Sequence, residues 1–291
     1  MTTSRAASLE RGGRRAGNSR VGEMLRQWRD RRRVSQLDLA IAAEVSTRHL
    51  SFVETGRARP SREMVLRLGE HLDVPLRERN HLLLAAGYAP VYREGELGDP
   101  EMTAARSALR QVLTGHEPYP AVVVDRMWNL VDGNAGVALL TEGAAPELLA
   151  PPSNVLRIAL HPAGMAPRVL NLGELRADLL GRLRRQVDAT ADPGLAELLA
   201  EVRGYPCDDP VPEVEVPGGS AVFVPLRLRH RDRELSFFST IATFGAPLDV
   251  TLSELAIESF YPADAATGEY LRRAAAANGT IDGGSIRPYP T

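Results

Sequence analysis

Residues 35–61 read SQLDLAIAAEVSTRHLSFVETGRARPS, and two short helices joined by a tight turn follow from this stretch. Ser35 is a natural N-cap, since its hydroxyl can accept from an amide of the first turn. Asp38, three residues on, answers it as a capping-box variant. The spacing predicts a helix behind Ser35 that buries Leu37, Ala40 and Ile41. A turn at Glu44-Val45 leads to Ser46, a second N-cap. The next helix runs from Thr47 to Thr55 with Leu50 and Val53 inward, and Gly56 ends it as a residue at ease with positive φ. Arg57-Ala58-Arg59-Pro60 is a basic loop, and Ser61 caps a further helix.

The flanks complete a small helical domain. Val21, Leu25 and Trp28 recur at helical spacing over 20–31, and Arg31, Arg32 and Arg33 suit the negative end of that helix. Met64, Val65 and Leu68 face inward after Ser61, and a last helix over about 76–86 ends at Gly87. Residues 20–88 therefore form an all-α, five-helix domain in which the second and third helices make a helix-turn-helix. Residues 1–19, rich in Arg, Gly and Ser, are expected to be a disordered basic arm.

Charge supports a polyanionic partner for this end. Residues 1–70 hold 15 Arg against 8 Asp and Glu, while the 291-residue chain as a whole carries a net charge of −2, so the remainder is acidic. With 44% hydrophobic residues the chain suits globular domains. Neither a run long enough to cross a membrane nor a secretory leader is legible, so the expected location is cytoplasmic, with the nucleoid. The single cysteine, Cys207, excludes an internal disulfide.

The helix-turn-helix reading assigns roles. The second helix must enter a groove about 12 Å wide, so its first turn should carry short or hydrogen-bonding side chains. Thr47, Arg48 and His49 stand there, and Arg48 can give two hydrogen bonds to guanine. Phe52 lies one turn on, to meet a thymine methyl or to plug the gap between helices. Gln36 opens the preceding helix, where amides already favour phosphate. Arg57 and Arg59 follow, to grip the DNA backbone or to form a solvated loop. Glu54 is read as the partner of an arginine inside the bundle.

Residues 89–100 look like a linker, 101–272 a second domain and 273–291 a flexible tail. A helix is expected over 101–114. Pro120–Asp125 and Trp128–Val131 read as a hairpin, and Asn134 as the cap of a helix to about Leu140. Helices are expected near 153–160, 171–188 and 193–203. Ala221–Leu226, Leu235–Phe244 and Leu255–Tyr261 read as strands, with a short helix near 265–275. This is an α+β order. The six His show no metal spacing, and no catalytic or nucleotide-binding motif is present, so neither an enzyme nor a cofactor is expected.

The first domain resembles the Cro/C1-type (XRE) helix-turn-helix family through Gly22, Leu25-Arg26, Ser35-Gln36, Leu39-Ala40, Val45-Ser46, His49-Leu50-Ser51, Glu54-Thr55-Gly56-Arg57, Pro60-Ser61 and Leu72-Asp73-Val74. The resemblance implies operator binding, usually as a homodimer on a two-fold site. A longer likeness runs through Ser46–Ser61, Val124-Asp125, Trp128-Asn129, Asn134, Leu160-His161-Pro162, Leu183-Arg184-Arg185, Leu235–Gly245 and Pro247–Thr251. It resembles regulators with an MmyB-type C-terminal domain. That resemblance implies a PAS-like sensor over 101–265 and a bound fatty-acid-like ligand. Such a domain encloses an apolar cavity with polar groups at its mouth. Trp128, Leu130, Phe223, Phe237 and Phe260 are the candidate wall residues, and His161 and Arg168 the candidates for a carboxylate. The alternative is a ligand-free dimerisation or protein-interaction module.

Overall fold

In a computed structural model that describes residues 19–190, 192–209 and 223–278, the three serine caps of the first domain are in place. Ser35 Oγ accepts from the Asp38 amide at 3.1 Å, Ser46 Oγ from His49 at 3.2 Å and Ser61 Oγ from Met64 at 3.2 Å. They start α2 (Gln36–Ala42), α3 (Thr47–Glu54) and α4 (Arg62–His71). Helix α1 (19–31) precedes them and α5 (Leu76–Ala85) follows. Their core includes Val21, Leu25, Trp28, Leu39, Leu50, Val53 and Leu68, with Leu72 after α4 and Leu82 and Leu83 from α5. Helix α2 is phased differently from the expectation. It buries Leu39 and Ala40, while Leu37 and Ile41 are 57% and 68% exposed. This two-turn helix is apolar nearly all round, so periodicity alone cannot choose the face that meets α3 and α4.

The chain divides into two units: one runs to Gly95 and includes Pro247–Ser253, the other takes Glu96–Ala246 and the residues from Glu254. The first half of the expected linker is thus bound in the first unit. Buried Asn80 donates to Tyr92 O and accepts from the Val91 and Tyr92 amides. Within the same unit, the Val250 amide donates to Arg93 O at 2.8 Å and Thr251 Oγ1 donates to Gly95 O. The expected basic arm lies outside the described residues but for Ser19, as do residues 279–291 of the expected tail.

The second unit opens with α6 (Thr103–Gly115) and holds the strands β1 (Ala121–Val124), β2 (Leu130–Gly133), β3 (Leu226–His230), β4 (Arg233–Thr243) and β5 (Ala256–Pro262). They form one sheet in the order β2-β1-β5-β4-β3, with every neighbouring pair antiparallel. Between β2 and β3 come α7 (Val137–Thr141), α8 (Pro146–Leu149), α9 (Val155–Leu160), α10 (Leu172–Thr190) and α11 (Pro193–Arg203). In the first unit, α12 (Val250–Ser253) lies on the connection from β4 to β5; α13 (Ala265–Asn278) follows β5. This is the expected all-α domain followed by an α+β, PAS-like one.

Three local differences have clear causes. Strand β2 starts at Leu130 because Asp125 Oδ1 accepts from the Met127 and Asn129 amides, both at 2.8 Å, and wraps the chain into a turn. Asn134 does not cap a helix. It is buried and cross-links the chain, donating to Leu113 O and Tyr119 O and accepting from the Ala121 amide. The first strand of the last third is Leu226–His230, where burial alternates residue by residue, rather than 221–226; residues 221 and 222 lie outside the described residues.

Candidate DNA-reading helix and ligand cavity

The start of α3 presents what the sequence placed there. Thr47, Arg48 and His49 are all exposed. The Arg48 guanidinium lies 5.4 Å from the centroid of half-buried Phe52, and that of Arg57 lies 6.0 Å away. Phe52 is therefore a platform shared by two arginines, whose heads keep donors for an anionic surface.

Gln36 and Arg59 are differently employed. Gln36 Nε2 donates to Glu54 Oε2 at 2.7 Å. The carboxylate of Glu54, buried as expected, also receives Arg29 Nε at 2.7 Å and Nη2 at 3.1 Å. This carboxylate ties α1, α2 and α3 together and raises the Arg29 pKa above its ordinary value. Arg59 donates to Ala86 O at 3.1 Å and Gly87 O at 3.3 Å, and lies 4.7 Å from the Tyr88 ring centroid. It pins the loop after α3 to the carbonyl end of α5.

In the second unit, a cavity open to solvent at its mouth lies between the sheet and the helices. The sheet gives it Val122, Leu130, Leu226 and Phe260; α7, α9 and α10 give Leu140, Leu156, Ile158, Leu175 and Leu179. Trp128 joins the wall from the turn before β2, at φ 65, a conformation the surrounding turn must hold. Its Nε1 donates to Gln186 Oε1 at 2.7 Å, and Gln186 donates to Arg126 O at 2.8 Å. Thr141, Asp178, Arg182, Ser239 and Glu258 are the polar lining groups apart from the indole.

Trp128, Leu130 and Phe260 thus stand together on the cavity wall, and the other four candidates stand elsewhere. Phe237 is fully buried in the core, paired in register with Leu226 and Pro262. Phe223 is 50% exposed and packs on Phe238, with ring centroids 5.4 Å apart. His161 C-caps α9; its Nδ1 accepts from the Ala163 amide at 3.0 Å, and its ring meets Tyr205 edge-on. Arg168 donates to Leu139 O and Leu140 O at the carbonyl end of α7, and burial lowers its pKa. Arg168 thus satisfies a helix end and the His161 ring a nearby loop amide, needs more local than a ligand.

The polar groups were the ones missed. Asp178 and Arg182 follow Leu175 at three and seven residues, on the apolar stripe of α10, where a surface helix would carry Leu. Glu258 shares a strand face with Phe260, two residues on, and β5 is paired on both sides. A charge on the inward face of a central strand was the readable signal.

A model of the MmyB-like transcription regulator ligand binding domain matches residues 105–274, and a model of a helix-turn-helix domain matches residues 20–82. One similar solved structure is the clp gene regulator ClgR from Corynebacterium glutamicum, 26% identical over 35% of this chain and 95% of that one, with a TM-score of 0.22. Another is an RNA-binding light-oxygen-voltage receptor, 14% identical over 95% of this chain and 68% of that one, with a TM-score of 0.24. Superpositions this loose carry no argument. No curated protein matches the chain. With a match that spans more than half of its length, and a helix-turn-helix domain ahead of it, the chain belongs to the family of MmyB-like transcription regulators with a ligand binding domain.

Proposed function

We propose that the chain regulates transcription by reading a two-fold operator as a homodimer, and that a small hydrophobic molecule in the cavity of the second unit controls this reading. The observation that carries the proposal is that cavity, walled by apolar side chains from sheet and helices, in the chain that also bears Thr47, Arg48 and His49 exposed at the start of α3. An aliphatic chain of the fatty-acid kind suits such a wall. Occupancy acts by favouring dimers whose two α3 helices are spaced to enter successive major grooves, about 34 Å apart, or by disfavouring them. The protein works where DNA is, in the cytoplasm with the nucleoid.

Native mass spectrometry of the purified full-length chain tests this, followed by solvent extraction of whatever is bound. The expected result is a dimer that carries or takes up a discrete lipid-like adduct and whose DNA affinity changes when the adduct is removed. A dimer without adduct, and with none after incubation with a lipid extract, favours a ligand-free dimerisation module instead.

A further inference from the structure

The polar end of the cavity carries more negative than positive charge. Arg182 is its one cation among the lining residues, against the carboxylates of Asp178 and Glu258. The guanidinium is already engaged. Its Nε donates to Asp178 Oδ2 at 3.0 Å, its Nη1 lies 3.5 Å from Glu258 Oε1, and it lies 5.9 Å from the Trp128 ring centroid. Glu258 has an oxygen to spare. Its side chain is 10% exposed, and Ser239 Oγ donates to Oε1 at 2.8 Å. Among the described residues Oε2 receives no hydrogen bond. Oε2 keeps contact with the open cavity, so a ligand that displaces water from it must supply a donor in its place.

From this we infer that the ligand is an amphiphile whose head donates hydrogen bonds, a protonated amine foremost, and not a free carboxylate. The inference rests on the reading of the cavity as a ligand site and specifies the head of that ligand. The apolar wall holds the aliphatic body, and the head donates to Glu258 Oε2. A carboxylate there would face Glu258 and would have to draw Arg182 away from Asp178, leaving like charges close together in a partly desolvated site.

Calorimetric titration of the full-length chain with decylamine, decanol and decanoate, three probes with one body, separates the possibilities. Decylamine is expected to bind about tenfold or more tightly than decanoate, a gap of about 1.4 kcal/mol, with decanol between them. Glu258→Gln, which keeps the shape and removes the charge, is expected to narrow that ratio severalfold. Decanoate binding as tightly as decylamine overturns the head-group assignment and leaves the cavity a ligand site. Binding of none of the three overturns the assignment together with the ligand-site reading. An unchanged ratio in Glu258→Gln, with the fold intact by circular dichroism, removes Glu258 from the site. The ranking in the unmodified chain is decisive even where the variant fails to fold.

Discussion

Arg48 and Arg57 share one aromatic ring, yet their substitutions should differ in kind. Arg48 leaves the first turn of α3, where a side chain entering a groove reaches base edges. Arg57 follows the helix, where backbone phosphates lie. Arg48→Ala is expected to cost about 1–3 kcal/mol on the operator and to relax base choice at one position. Arg57→Ala is expected to weaken operator and random DNA alike. Gel-shift titrations on both DNAs decide, and equal losses for Arg48→Ala would count against a base contact. Arg59→Ala should instead lower stability by about 1 kcal/mol, its exposed guanidinium being bonded to neutral carbonyls. A shift in the urea midpoint reports it. At this scale the sequence shows what is local. The serine caps lie within three residues of their partners and were legible. Gln36 and Arg59 answer groups 18, 27 and 28 residues away, and no spacing rule reaches so far.

Between elements, two close approaches make opposite demands. A Cβ on Gly22 would sit 2.3 Å from Val53 O and 2.8 Å from Glu54 O, so α1 crosses the end of α3 against bare backbone. Gly22→Ala is expected to force the helices apart and to cost about 1–3 kcal/mol or more. Gly181, in the middle of α10, meets nothing nearer than Arg185 Nη1 at 3.5 Å, the movable end of a long side chain. Gly181→Ala should stabilise the protein by up to about 1 kcal/mol through helix propensity. Thermal melts of the two variants should move in opposite directions. Helices α9 and α11 are joined by Arg157, whose Nε and Nη2 donate to the two Glu201 oxygens at 2.8 and 2.7 Å. The guanidinium holds the Glu201 carboxyl below its ordinary value. A carboxyl lowered on folding contributes stability above its unfolded pKa, about 4.3, and loses it as pH falls through the folded value. The difference in melting temperature between the wild type and Glu201→Gln should therefore be largest near neutrality and vanish in acid. Both side chains are about 40% exposed, so the difference should be small and shrink with added salt.

For the whole molecule, the chain does not build one unit and then leave it. It passes from the first unit to the second at Gly95 and Glu96, and returns with Pro247–Ser253 between β4 and β5. The strands around this excursion carry Ser239, Glu258 and Phe260 of the cavity. Local patterns found the longer helices and most strands, where apolar residues alternate or recur, and missed the four-residue helices α8 and α12, which are too short to show a period. The return of the 247–253 segment was not legible: a backbone bond from Val250 to Arg93 joins residues far apart in sequence through groups common to every residue. It makes a definite prediction. Val250 is fully buried, and α12 packs against α5. Val250→Ala removes about two methyl groups from that packing and should cost about 1–3 kcal/mol. Although the substitution lies between strands of the ligand domain, the loss should fall on the DNA-binding unit. Hydrogen exchange should quicken at the amides of α5 and of Val91 and Tyr92, which Asn80 holds, and remain slow in β1 and β5. Faster exchange confined to the sheet would mean that the segment stabilises the second unit, and that the helix-turn-helix domain stands without it.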